Sequence, residues 1–384
     1  MTLLAGGRVV GTEGVFDPGW IQVEGDRLVG VGGGAPPTRG VDVDLSGRTV
    51  VPGFVDMHVH GGGRGAFTSG DVEEAAAALA VHRRHGTTTS MASLVSATLP
   101  ELARAVGVLA DLVVDGVLAG VHLEGPWLSP AHRGAHEAAL LRSPAPREVE
   151  RLLAAGGEAV RMVTLAPELP GGVAAVRQLA GAGVVAAIGH TDATYAVAVD
   201  ALAAGATVGT HLFNAMRPLH HREPGPVVAL FEAPQATVEL VADGVHLHPA
   251  VIQHAIRSVG PDRVALVTDA MAATGAGDGD YLLGNLAVRV TDGVARLADG
   301  GAIAGSTLTM DKAFRYVVQQ CGVSVTAAAR MAASTPARVL GLGDRGALNP
   351  GLRADLVVLD GALTVAGVMV AGCWTSQLGA SDPG

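Results

Sequence analysis

The sequence predicts an α/β chain: a (β/α)8 barrel of the TIM type with a small β-sandwich domain formed by the N- and C-terminal segments. Three observations predict it. Short apolar runs alternate with Ala-rich helical stretches through the middle of the chain. Both ends instead alternate apolar and polar residues, broken by Gly, Asp and Pro. His, Glu and Asp recur at the C-terminal ends of the apolar runs. Continuous apolar strands separated by helices suit a parallel sheet covered on both faces. Eight such runs within about 290 residues suit closure into a barrel. An open doubly wound sheet is the alternative, and no GxGxxG follows a strand and opens a helix to favour it.

The elements follow in order. LLAGGRVVG, GWIQVEGDRLVGVGG and VDVDLSGRTVV read as strands, as does ADLVVLDGALTVAGVMVAGCW at 354–374. Residues 1–51 with 345–384 are therefore assigned to the small domain and 52–344 to the barrel. The eight runs are 49–58, 87–95, 116–124, 160–168, 184–190, 206–211, 237–244 and 263–270. Helical patterns lie at 72–86, 99–113, 173–183, 195–205 and 249–260. After run eight, 280–306 reads as strands joined at a Thr-Asp-Gly-Val turn. Helices are expected at about 306–320 and 324–341. No solenoid repeat is visible, and no low-complexity tail beyond the last ten residues.

Composition narrows the function classes. The 384 residues are 49% hydrophobic, enough for a large core. The net charge of −10 comes with no basic stripe, which argues against nucleic acid as a partner. No apolar run reaches the ~18 residues of a membrane span, and the start lacks a signal-peptide layout. Two cysteines, Cys321 and Cys373, make a disulfide framework improbable and a cytoplasmic location the natural expectation.

In a (β/α)8 barrel all strand C-termini meet on one face, where active sites are built. Run one ends in His58 and His60, run three in Glu124, run five in His190 and run six in His211. Run seven leads to His246 and run eight ends in Asp269. Residues i and i+2 of a strand point the same way, so His58 and His60 can face one point. A carboxylate such as Glu124 at the end of an apolar strand is costly unless paired or bound to metal. One Glu with several imidazoles suits Zn2+ or another borderline divalent ion with a position open for water. Asp269 is the candidate proton carrier, with an orienting role for a ligand as its alternative. His122 is assigned to packing or to support of the ligands. His136, Asn214, Arg222 and His246 lie on loops past the strand ends as candidate substrate contacts; His132, His220 and His221 read as solvated.

With these residues in place, the chain resembles the amidohydrolase superfamily, and within it the N-acetylglucosamine-6-phosphate deacetylase family. The resemblance rests on PGFVDMHVHG, HLEGPWLSPAHRGAH, GHTDA, THLFNAMRPLHHREPG, ADGVHLHP, VTDAM, AIAGSTLTM and GLRADLVVLD, which span almost the whole chain. It implies hydrolytic deacetylation of N-acetylglucosamine 6-phosphate to glucosamine 6-phosphate and acetate by a metal-activated water. Another metal-dependent deacetylase or deaminase acting on a related small substrate is the alternative. It makes Glu124, His190 and His211 the principal metal ligands, Asp269 the acid/base and His136 the group that polarises the acetamide carbonyl. Asn214, Ala215, Arg222 and His246 would hold the sugar phosphate, and Ala135, Ile303, Ala304 and Gly305 would lie against the substrate. Arg222 would reach in from a neighbouring subunit, which implies a homodimer. One or two ions are implied, Zn2+ first, with Fe2+, Mn2+ or Co2+ as alternatives; His58 and His60 would add the second, bridged by Glu124. The only lysine, Lys312, lies beyond run eight, so a carboxylated-lysine bridge is not available.

Overall fold

A computed structural model describes residues 1–11, 14–37 and 40–375. Residues 376–384, part of the C-terminal span assigned to the small domain and nearly all of the terminal ten residues, lie outside the described residues.

Among the described residues, eight strands form one parallel sheet in chain order: β1 (Phe54–Asp56), β2 (Thr87–Leu94), β3 (Gly120–Glu124), β4 (Val160–Leu165), β5 (Val185–Ile188), β6 (Ala206–Gly209), β7 (Thr237–Val241) and β8 (Val264–Val267). Every residue of β2, β3, β7 and β8 is buried, as a sheet covered on both faces requires. β8 returns to β1 just past the strand ends. The Asp269 amide donates to the His58 carbonyl at 2.8 Å, and the His60 amide to the Ala270 carbonyl at 2.8 Å. Beneath them the Thr268 hydroxyl donates to Asp56 Oδ2 at 2.6 Å. The seam of the barrel is therefore stitched by the segments that carry the site.

Run one serves two sheets. Thr49–Pro52 pairs antiparallel with Leu356–Leu359, whereas Phe54–Asp56 pairs with β2. Gly53 makes the transition, and a Cβ there would sit 2.2 Å from Thr88 Oγ1, so only glycine fits. The sheet of the chain ends runs Cys373–Trp374, Val365–Val370, Leu356–Leu359, Thr49–Pro52, Thr2–Val10, Val15–Glu24, Arg27–Gly33, with Val43–Asp44 beside Thr2–Val10. It is one curled sheet. Leu28 and Met369, from opposite ends of that order, share a cluster with Leu4, Ile21, Val50 and Val358. The alternate residues Val51, Val357 and Leu359 point the other way and join the barrel core.

All five expected helices form, as Val72–Arg84, Leu99–Val114, Gly172–Gly181, Tyr195–Ala203 and Pro249–Val259. Asp71 caps the first by accepting from two amides, and Thr98 with Glu101 forms a capping box on the second. Two further helices, Pro146–Gly156 and Gly225–Glu232, complete the cover. The excursion after β8 is a three-stranded antiparallel sheet, Gly279–Leu283, Leu286–Thr291 and Val294–Leu297, turning at Asp292-Gly293, both at positive φ. Met310–Gln319 and a stretch over 325–339 follow; the second contains a π turn at Arg330–Ser334.

Candidate metal centre

The strand ends are backbone specials as well as sequence punctuation. His190 (φ 47°), His211 (φ 27°) and Asp269 (φ 50°) all adopt the left-handed region. That conformation costs a non-glycine residue of order 1–3 kcal/mol and persists only when surroundings hold it. Here the neighbours do: the Ser129 amide donates to the His190 carbonyl, Glu239 accepts from the His211 amide, and the Ser306 amide donates to the Asp269 carbonyl. Each strand stops, and its last side chain swings over the barrel mouth.

Two groups of ligand-type atoms result, and each could hold an ion: Glu124 with His190 and His211, and His58 with His60 and Asp269. In the first, Glu124 Oε1 is 3.1 Å from His190 Nε2 and 2.9 Å from His211 Nε2, and the two nitrogens are 3.0 Å apart. In the second, the histidine Nε2 atoms are 3.1 Å apart, and Asp269 Oδ1 lies 3.2 Å from His60 and 3.6 Å from His58. Ligands about 2.1 Å from a tetrahedral ion lie roughly 3.4 Å from each other, close to both sets of spacings. Glu124 joins the groups: its Oε1 faces the first, and its Oε2 is 3.2 Å from His60 Nε2.

The outer nitrogens agree with metal ligation. His190 Nδ1–H donates to the His132 carbonyl at 2.9 Å, and His60 Nδ1–H to the Ser93 carbonyl at 3.1 Å. His58 Nδ1–H donates to Glu239 Oε2 at 2.9 Å. In each ring the Nε2 lone pair is thereby aimed inward, the usual supporting arrangement of metal-bound histidine. Three buried carboxylates, Glu124, Glu239 and Asp269, meet here, and their ion-pair partners among the described residues are histidines only. Glu239 Oε1 is buried with no hydrogen-bond partner among the described residues. Such a concentration of negative charge calls for cations close by.

The titration pattern says the same. Burial works to lower the pKa values of His58 and His60, but Glu239, Glu124 and Asp269 prevail at His58, and Asp269 and Glu124 at His60. His58 ends well above the imidazole value and His60 at about 9. Burial dominates at His190 and pushes it down to about 4. Burial raises Glu124 and Asp269, yet the adjacent histidines hold both below the carboxylate range. The surrounding carboxylates thus favour positive charge at His58 and His60, and a divalent cation bound there would displace protons from them.

A cavity of about 260 Å3 opens over the site, lined by His60, Glu124, Ala135, His136, His190, His211, Asn214, Ala215, His246, Asp269, Ile303 and Gly305 among others. Three expected residues do not line the cavity. His58 is fully buried beneath the lining. Ala304 is buried too, and its amide is tied to the Ala295 carbonyl rather than free toward the cavity. Arg222 is exposed on a turn, bonded to His221 Nε2, and does not reach this cavity of its own chain.

Other residues enter: His132, read from the sequence as solvated, Ser96, Asp243 and Glu239, which that reading did not name, and His122, which it assigned to packing or support. His132 lines the cavity, with Nε2 3.0 Å from Asp192 Oδ1, and Asp192 is held in turn by Arg217. The Ser96 amide donates to His136 Nδ1 at 3.3 Å and Ser96 Oγ lies 2.9 Å from the same nitrogen, so an accepting Nδ1 leaves a ring proton on Nε2, 3.3 Å from Glu124 Oε2. Asp243 takes two backbone amides and the His246 Nδ1–H. His122 supports the floor, bonded to Ser93 and Thr164 with its ring edge-on to His58. Glu239 carried a readable signal, a carboxylate in the middle of an apolar run; Ser96 carried none, because a lone serine past a strand end shows nothing of the ring that its amide and hydroxyl both meet.

Barrel, strand-end ligands and mouth cavity define a metal-dependent hydrolase, and residues 49–375 match the amidohydrolase family, to which the chain belongs. Among its relatives, the N-acetylglucosamine-6-phosphate deacetylase of Lysinibacillus sphaericus is 35% identical over 84% of each chain. The N-acetylgalactosamine-6-phosphate deacetylase of Escherichia coli O157:H7 is 36% identical over 93% of this chain and 96% of its own. An aspartate-to-alanine mutant of the Mycobacterium smegmatis N-acetyl-D-glucosamine-6-phosphate deacetylase, solved in complex with N-acetyl-D-glucosamine-6-phosphate, is 52% identical. It superposes with a TM-score of 0.96 over 98% of this chain and 99% of its own.

Proposed function

We propose that this chain hydrolyses the acetamide of N-acetylglucosamine 6-phosphate to glucosamine 6-phosphate and acetate. The observation that carries the reading is the shared carboxylate: Glu124 faces both ligand groups, beside Asp269 and His136, in one cavity. Glu124, His190 and His211 would hold one divalent ion and His58, His60 and Asp269 a second, with Zn2+ the best match to the nitrogen-rich set and Fe2+, Mn2+ or Co2+ as alternatives. Such an ion supplies a water of lowered pKa and polarises a carbonyl oxygen.

The chain's own groups do the rest. Asp269 turns Oδ1 to the histidines, which leaves Oδ2 to take a proton from the attacking water and hand it to the departing amine. His136 Nε2–H donates to the developing oxyanion. Ala135, Ile303 and Gly305 shape the wall, while Asn214, Ala215 and His246 receive the sugar phosphate. Arg222, directed away from its own cavity, completes the phosphate site of a second subunit in a homodimer. The barrel unit, residues 52–344, carries all these groups; in the unit of 1–51 with 345–384, Val51, Val357 and Leu359 pack against its core. A cytoplasmic location accords with two unpaired cysteines, Cys321 and Cys373. Among the described residues no helix is long and apolar enough to cross a membrane.

Acetate release from the sugar phosphate tests this. Asp269→Asn should lose at least about 10²-fold in kcat while keeping the ion at Glu124, His190 and His211. Wild-type turnover in that variant, or none in metal-loaded wild type, would refute the proposal. The galactosamine epimer is a second reading, favoured by the similarity to the E. coli enzyme; kcat/KM on the two epimers decides between them.

A further inference from the structure

Glu239 belongs to no wall of the cavity, yet it touches both ligand groups. It is the third residue of β7 and fully buried. One oxygen, Oε2, accepts from His58 Nδ1–H at 2.9 Å and from the His211 backbone amide at 3.0 Å. Its backbone carbonyl accepts from the Leu212 amide at 2.9 Å, so the turn that presents His211 is fastened to Glu239 twice. His211 needs such fastening, because its φ of 27° is unfavourable and its Nδ1 has no partner among the described residues. His190 and His60 each have an Nδ1 anchor on a backbone carbonyl; His211 is held through its backbone instead.

We infer that Glu239 is the positioning residue that couples the two ion sites, orienting His58 in one and His211 in the other through a single carboxylate oxygen. This rests on the metal-dependent reading proposed above. The carboxylate does two things. It fixes the His58 ring with its Nε2 lone pair inward and raises the basicity of that nitrogen. It also keeps the His211 turn in register with β7, so that His211 Nε2 stays beside Glu124. Loss of the acceptor therefore weakens both sites, not only the one that His58 serves.

The test is a calorimetric Zn2+ titration of metal-free protein, with the visible spectrum of the Co2+-loaded form as a report on ligand geometry. Wild type should take up two ions. Glu239→Leu removes the acceptor at similar volume and should weaken the ion at His58 by ~10–100-fold. Glu239→Gln keeps an acceptor oxygen but loses the charge, and should fall between. Placed on His58→Ala, Glu239→Leu should still weaken the remaining ion and shift the Co2+ spectrum. Affinities of Glu239→Leu within threefold of wild type, or an unchanged remaining ion in the double variant, would overturn the inference alone. Wild type that takes up no ion would overturn the functional reading with it. If the leucine variant does not fold, Glu239→Gln decides: unchanged affinities and an unchanged Co2+ spectrum overturn the inference.

Discussion

At the scale of the residue, His136 illustrates how a tautomer is chosen. A backbone amide can only donate, so the Ser96 N–H at Nδ1 leaves the ring proton on Nε2. In the proposed reaction that proton would be donated to the carbonyl oxygen as it gains charge. His136→Ala should lower kcat by ~10²–10³-fold with metal content unchanged. A rise in KM alone, seen in steady-state kinetics, would instead assign His136 to ground-state binding. The candidate ligands were legible because a His or Glu at the end of an apolar strand has few uses. The left-handed turns that aim His190, His211 and Asp269 were not, since side-chain identity encodes no dihedral.

At the scale of the element, the sequence spoke clearly where periodicity and caps agreed, as in Leu99–Val114 with its Thr98 capping box. Pro146–Gly156 escaped because its charged sequence buries only Val149, Leu152 and Gly156. Gly225–Glu232 escaped because GPVVALFE reads as a buried strand. Run three was too long by a turn: 116–119 bends at Gly116, whose φ is 72°. The helix Val72–Arg84 is tied to the glycine loop after His60 through His82, whose Nε2–H donates to the Gly61 carbonyl at 2.9 Å. Burial pushes His82 down to about 4. Between that value and about 6.5 the unfolded chain binds the extra proton. Stability is therefore full above pH ~6.5 and declines as pH falls toward 4, by on the order of 3 kcal/mol in all. Urea denaturation at pH 7.5 and 5 should show His82→Gln losing less stability than wild type over that interval. Equal losses would mean that His82 is not buried neutral.

At the scale of the whole molecule, Arg222 makes the proposed dimer testable by mixing. Asp269→Asn subunits lack the proton carrier, and Arg222→Ala subunits would withhold the phosphate ligand from their partner. If Arg222 acts across the interface, a refolded mixture should regain activity on the phosphorylated sugar, because one site in each mixed dimer has both groups. A mixture no better than the sum of its parents would place Arg222 in its own site. The barrel itself was legible from eight runs and their polar ends. The division of run one was not, because the close approach of Gly53 to Thr88 is a fact of three dimensions. That division also has a consequence for synthesis. Thr49–Pro52 leaves the ribosome early, but its antiparallel partner, Leu356–Leu359, follows about 300 residues later. At cellular translation rates the wait is about 15–60 s. For that interval one edge of the nascent sheet stands open while the intervening barrel emerges, and the strands that arrive last complete the first sheet to begin.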